Sequence, residues 1–430
     1  MKKVEEKLAK INSKYYGMIT FALAALAMYL TLSFSQMLSN GIYIVMDADF
    51  IEQYIPYIKM FFRNLLAGEG LEYSWSNSLG MNTSLLYAYY VLSPFNLLYL
   101  IFWGVEENII TAVIIILKTG LCAYTFHYFL KKVMKCNGVE TILFSLMYAL
   151  CSFTMLYGST YNSWLEGVYM LPLIFVFVYE LFEDGKIYKL VIAYAFLFAT
   201  QFYMGYMVGV FSFVFWCILL FVKCKKGFRN KILASTKYVG SVFLAIGISA
   251  AVWLPALLFL RENMLSEQLF FSDVSATILD VWNNLFWGQM QGVEGVYPYI
   301  YCGLPVLLIF PFFFLNREIE QKERIAVAIL LGFILLTMVT NKLYQVIHAF
   351  DSPNSYAYRQ AFMLSFILCA LACKQSIYWE KMKIKQLGIW SGICAGIYVL
   401  VSWLHRDNGY VDSSNSTIFF FVNIVFILID

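Results

Sequence analysis

The sequence predicts an all-α polytopic membrane protein built as one transmembrane domain, and composition, apolar run length and the spacing of basic residues carry that prediction. Hydrophobic residues make up 61% of the 430 and charged ones 13%, with a mean hydropathy of +0.70, far from soluble composition. Several apolar runs reach the roughly 20 residues that a helix needs to cross about 30 Å of hydrocarbon. Lysine and arginine gather in short loops between those runs, the pattern of cytoplasmic connections.

The first apolar run, about 15 to 38, follows a segment carrying Lys2, Lys3, Lys7, Lys10 and Lys14. It is longer than a secretory h-region and has no small-residue cleavage site at its end, so it reads as a retained helix with residues 1–14 in the cytoplasm. The basic loops 131–138, 183–189, 223–237, 316–324 and 374–386, with the N-terminal segment, hold 23 of the 30 Lys and Arg. All fall on the inner side if the run 84–103 does not cross. That run carries Ser93-Pro94-Phe95-Asn96 at its middle, where proline removes a backbone donor and breaks a helix. It is expected to form a re-entrant or juxtamembrane hairpin within a long, partly helical first extracytoplasmic loop, 39–107. The remaining bundle is 108–430. Crossings are then expected at about 15–38, 108–130, 139–157, 164–182, 187–203, 204–222, 235–260, 298–315, 324–340, 359–373, 387–404 and 416–429. That makes about twelve helices, with both termini inside. The stretch 187–222 is too long for one crossing at 1.5 Å per residue and is expected to turn at Phe202-Tyr203-Met204-Gly205. No internal repeat is visible. Most of the nine cysteines lie in apolar runs without paired ligand spacing, so they read as core and lipid-facing residues.

This topology gathers the unusual polar residues outside: in loop 39–107, then at 157–164, 261–297, 341–358 and 405–415. The working surface is therefore extracytoplasmic. No Walker-type glycine loop is present, and ATP is not available on that face, so chemistry there needs a pre-activated, lipid-linked substrate. The dispersed basic residues give no support for nucleic-acid binding.

Certain blocks carry a resemblance. Asp49-x-x-x-Gln53-x-x-Pro56, Trp75-Ser76-x-Ser78-Leu79-Gly80, Tyr89-Tyr90 and Ser93-Pro94-Phe95 resemble the opening of the bacterial YfhO family of membrane glycosyltransferases. His348-x-Phe350-x-x-Pro353 followed by Tyr358-Arg359-Gln360-Ala361-Phe362 resembles a later block. The resemblance covers nearly the whole chain and implies a GT-C-like bundle: a long first outer loop with a catalytic acid, a polyprenyl-phosphate sugar donor, and a cell-envelope acceptor such as lipoteichoic acid or another wall glycopolymer. Family members often run longer, with an outer C-terminal domain. This chain stops at Asp430 after an apolar run, so it is expected to be a fragment or a short variant.

Sugar transfer requires the acceptor hydroxyl to lose a proton as the C1–phosphate bond breaks, and a carboxylate within hydrogen-bond reach serves as base. Asp49 is the candidate, because Gln53 follows one helical turn later, where its amide could orient a carboxylate or a sugar hydroxyl. Asp47 is the second acid. With Asp49 it could instead hold a divalent cation, Mg2+ or Mn2+, on the donor phosphate, or one of the two could simply cap the helix starting near Phe50.

Arg359, beside Tyr358 and eleven residues after His348, has the forked geometry for phosphate; the bland reading is an arginine snorkelling to the headgroups. His348 reads as ordering that loop. Lys118 lies in an otherwise apolar helix and must meet a phosphate, Asp49 or Glu166. Glu166, near Asn162 and Trp164, either lines the same cavity or is an interfacial carboxylate. Trp75, Tyr89 and Tyr90 are candidates to stack on sugar, although most aromatic residues here belong to interface belts and packing. Residues 53–66 set apolar positions against Lys59 and Arg63, as in a helix lying on the outer leaflet. Two functions compete: a lipid-dependent glycosyltransferase, and a transporter or flippase of lipid-linked sugars. The second requires polar residues through both leaflets, and inner-half polar residues are sparse.

Overall fold

A computed structural model describes residues 2–38, 46, 49–75, 77, 79–222, 228–263, 276–286, 298–350, 353 and 356–404. Asp47 and the expected crossing 416–429 lie outside them. The described chain is almost all helix; its one sheet is a two-stranded antiparallel ladder, Tyr73–Ser74 against Met81–Asn82.

Among the described residues, five helices are long and apolar enough to cross a membrane: Lys14–Ser35, Glu107–Lys132, Asn162–Asp184, Phe202–Val222 and Lys231–Ile248. Three bent pairs raise the number to eight if each is one span. Two of the other apolar runs are divided by local breaks into shorter helices. The 298–315 run becomes Leu304–Ile309 and Phe312–Leu315 with Pro311 between, and the 235–260 run breaks at Ser249. A hydropathy window counts apolar residues and does not register where the backbone interrupts them.

Ser84–Val91 and Pro94–Ile101 meet at 89°, the break falling at the expected Ser93-Pro94. Proline fixes its own φ and drives the preceding residue to extended backbone, and Ser93 sits at φ −66°, ψ 130°. The 187–222 run also divides in two, at Gln201 rather than at 202–205. Gln201 leaves the helical region, at φ −160° and ψ 81°, and its side-chain amide is bonded to Ser163 and to the Tyr89 carbonyl. The helix Ile55–Ala67 buries Ile55, Ile58 and Phe62 and exposes Lys59 and Arg63, as the alternation of 53–66 implies.

The chain forms two compact units. One comprises 1–16, 130–153 and 270–430, and the other 17–129 and 154–269. In the first, Phe286, Leu304, Leu307, Leu308, Phe312 and Tyr398 form an apolar core. The buried Ala361–Ser376 helix is tied to its surroundings by Ser365 Oγ donating to the Ile300 carbonyl (3.1 Å) and Lys374 Nζ to that of Met134 (2.8 Å). In the second, helices Leu165–Asp184, Tyr188–Thr200, Phe202–Val222 and Phe228–Ile248 pack through rings such as Phe175 on Phe215 (4.3 Å) and Trp216 on Tyr238 (5.0 Å).

The small hairpin depends on Gly80 at φ +96°, where an added Cβ would also collide with the Tyr73 hydroxyl and the Trp75 ring. Gly80→Ala is expected to loosen this ladder by roughly 1–2 kcal/mol, the scale of one strained φ/ψ. Amide exchange at 73–74 and 81–82 should quicken several-fold, and unchanged exchange would show that the turn tolerates a side chain.

Candidate active site

Asp49 opens a helical turn, Phe50–Tyr54, that leads directly into the Ile55–Ala67 helix. Its own backbone is already helical and its side chain makes no capping bond, so the capping reading does not hold for this acid. The carboxylate, partly exposed, accepts a short hydrogen bond at Oδ2 from the Tyr161 hydroxyl. Gln53 lies one turn on, as its spacing requires, and its Oε1 accepts from Tyr90 OH at 2.7 Å. The amide is thus anchored to the Tyr89-Tyr90 block rather than to Asp49.

Aromatic rings wall this turn. Tyr161 stacks on Trp164 at 4.3 Å with planes 9° apart, and Tyr54 meets Tyr90 and Tyr161 edge-on at 4.6 and 5.9 Å. Trp164 is fully buried and donates through Nε1 to Tyr89 OH (3.4 Å). Ser163 Oγ bonds Tyr54 OH (3.0 Å) and accepts from Gln201 Nε2 (3.1 Å). The segment Tyr161–Trp164 therefore grips the Asp49 segment twice, Tyr161 holding the acid and Ser163 holding Tyr54.

Below the turn lies an ion pair. Lys118 Nζ stands 3.0 Å from Glu166 Oε1, with both side chains at 0% exposure, so neither is at a solvent interface. The ammonium also donates to the Asn162 carbonyl (3.0 Å) and lies over the Phe95 ring (5.3 Å). Ser93 donates to Glu166 Oε1 and Tyr169 to Oε2. Such saturation is what a buried pair requires to offset its desolvation. Of the three partners expected for Lys118, the structure provides Glu166.

Trp75 is 78% exposed at the hairpin, its ring edge-on to Tyr73, which leaves most of it open to a partner. His348, Tyr358 and Arg359 belong to the other unit. His348 is buried, its Nδ1 is 2.8 Å from the Tyr344 carbonyl and its ring 4.1 Å from that of Tyr344. Burial pushes its pKa down to about 3, leaving the imidazole neutral at pH 7. Tyr358 is buried and its hydroxyl accepts from the Ala276 amide (3.1 Å). Arg359 is partly exposed, with Nε donating to the Tyr356 carbonyl (3.2 Å). Ala349, Phe350, Tyr356 and Tyr358 all have φ between +51° and +67°, a concentration of left-handed backbone in the very block noted in the sequence.

Tyr161 and Tyr169 are not marked by the sequence, and Ser93 is marked only as part of its block, not as a partner of Glu166. Tyr169 stands three residues after Glu166, where a helix brings side chains together, and Ser93 sits inside a quoted block, so spacing could have found both. Nothing distinguishes Tyr161 among 32 tyrosines.

A family model described as bacterial membrane protein YfhO matches residues 20–429. The chain belongs to the YfhO family. The match takes in both units, including the Asp49 turn, the Lys118–Glu166 pair and the His348 to Arg359 segment. No curated protein matches the chain. For the YfhO family member described here, the residues that converge are therefore Asp49, Gln53, Tyr89, Tyr90, Tyr161 and Trp164, with Lys118 and Glu166 beneath them.

Proposed function

We propose that this YfhO family protein is a membrane glycosyltransferase that moves a sugar from a polyprenyl-phosphate donor to an extracytoplasmic envelope acceptor, a lipoteichoic acid or another wall glycopolymer, with Asp49 as general base. The observation that carries the reading is the Asp49 carboxylate: partly exposed, held by one hydroxyl at Oδ2, and walled by tyrosine and tryptophan. Tyr161 occupies one oxygen and fixes the carboxyl plane, leaving Oδ1 to take the acceptor proton. The acceptor oxygen then bonds to C1 of the sugar as the C1–phosphate bond breaks, and polyprenyl phosphate leaves with the electron pair. Tyr54, Tyr161 and Trp164 are buried and hold the turn, while the half-buried rings of Tyr89 and Tyr90 suit the apolar faces of a sugar.

A second observation favours a lipid-linked substrate. Phe95 and Tyr169, which serve the ion pair, also line an open, mostly apolar groove of about 450 Å3 with Met170, Phe177, Ile192, Phe196 and the side chain of Lys189. Such a lining suits a hydrocarbon chain. In its own unit, Arg359 is the candidate ligand for phosphate. A divalent cation would need further oxygen ligands beside Asp49. Among the described residues no three His, Cys, Asp or Glu side chains gather to hold one, so no step is assigned to it.

The deciding experiment compares glycopolymers from cells with and without the chain, by sugar analysis, and follows transfer from a labelled polyprenyl-phosphate sugar in membranes. Polymer lacking a sugar in the absence of the chain is the expected result. Identical polymers, together with movement of the donor across the bilayer, would favour the transporter.

A further inference from the structure

We infer that the buried Lys118–Glu166 pair is a positioning device for Asp49, acting through the 161–164 turn, and that Tyr161 is its contact with the acid. This rests on the reading of Asp49 as the base. At 0% exposure neither charged side chain meets a ligand directly, and both Glu166 oxygens are occupied by Lys118, Ser93 and Tyr169. The remaining directed bond of the pair is the one from Lys118 to the carbonyl of Asn162, the residue next to Tyr161. A carbonyl held this way fixes the peptide plane at the start of the turn. Tyr161 has φ −142° and ψ 61°, outside the helical region, and is coupled to that Asn162–Ser163 plane through the backbone of Asn162 and to Trp164 by its ring stack. From there the chain of contacts is short: Lys118 to Asn162, covalently to Tyr161, and from its hydroxyl to Asp49.

The energetic argument points the same way. A buried ion pair gains little or nothing over apolar side chains of the same volume. What an apolar pair lacks is a donor for the Asn162 carbonyl. Ser93 and Phe95 give the 89° bend after Val91 a place in this scheme, because the bend delivers a hydroxyl to Glu166 and a ring to the ammonium.

The test uses the full chain in lipid nanodiscs, with Tyr161→Phe and the paired replacement Lys118→Met with Glu166→Leu. Two quantities are read: kcat and KM for sugar transfer, and labelling of Asp49 by a water-soluble carbodiimide, quantified by mass spectrometry. Tyr161→Phe keeps the stacked ring and removes the bond. It should lower kcat about 10- to 100-fold, the scale of a misplaced catalytic group, with donor KM within about twofold. Asp49 labelling should rise several-fold. The paired replacement should insert and melt near the parent and shift both readouts in the same direction. A paired variant with parental kcat and parental Asp49 labelling would overturn the inference. If it does not fold, Ser93→Ala, which weakens the pair without stranding a charge, takes its place with the same expected directions, and parental values there overturn the inference equally. Should the parent protein transfer no sugar, the proposed function fails, while the labelling comparison still decides the positioning claim.

Discussion

Cells making Asp49→Asn or Asp49→Ala protein should lose the sugar that the proposed transferase adds, with transfer reduced at least about 100-fold, since a general base contributes typically 10²- to 10⁴-fold. The two substitutions separate chemistry from structure. Asparagine keeps an oxygen that can accept from Tyr161, so the turn 161–164 and the Tyr54–Ser163 bond keep their partners. Alanine removes the side chain and its bond but leaves a residue suited to a helical turn. Both proteins should therefore insert at parental levels, which immunoblotting of membranes verifies, and both should fail in sugar analysis of surface polymers. If either variant decorates the polymer as the parent does, Asp49 is not the base. A fall in protein level alone would assign the acid to the fold instead.

Single substitutions in the buried pair should have the largest effect on stability. Glu166→Leu strands the Lys118 ammonium at 0% exposure and removes the acceptor of Ser93 and Tyr169, and Lys118→Met strands the carboxylate. Breaking a buried pair from one side typically costs about 3–5 kcal/mol. Each single variant should show a large drop in melting temperature in detergent, or a collapse in folded yield, and the paired replacement should recover most of it. The exposed pair Lys381–Glu318, 2.7 Å apart with side chains 61% and 52% exposed, is the control. There Lys381→Ala should change stability by less than about 1 kcal/mol, because solvent already screens the charges. Single variants at 118 and 166 that melt like the parent would mean that water or lipid headgroups reach the pair.

Several features were legible because they depend on short-range rules. Pro94 in the middle of an apolar run forecast a break, and the chain bends there by 89°. The spacing of Ile55, Ile58 and Phe62 against Lys59 and Arg63 forecast one buried face, and the helix Ile55–Ala67 shows it. Lys118 in an apolar run demanded a partner, and Glu166 was among the three considered. Other features escaped for a physical reason. The break at Gln201 falls before the expected glycine because Gln201 is bonded by its side chain to Ser163 and to the Tyr89 carbonyl, contacts 38 and 112 residues away. The helical turn 49–54 does not need Asp49 as a cap, since the segment is already helical at that residue.

Composition and local sterics set the environment and the inventory: a chain too apolar for water, a break where Pro94 interrupts a run, and a small set of charges that a membrane does not leave unpaired. Those follow from transfer free energies and backbone sterics, which act over a few residues. Which partners those charges take is set by packing between distant segments. The bond from Tyr161 to Asp49 spans 112 residues and the bond from Ser93 to Glu166 spans 73, and neither type of residue is rare enough in this chain to announce its partner. Hydrogen bonds act over about 3 Å and carry no sequence period, so packing alone brings their two ends together.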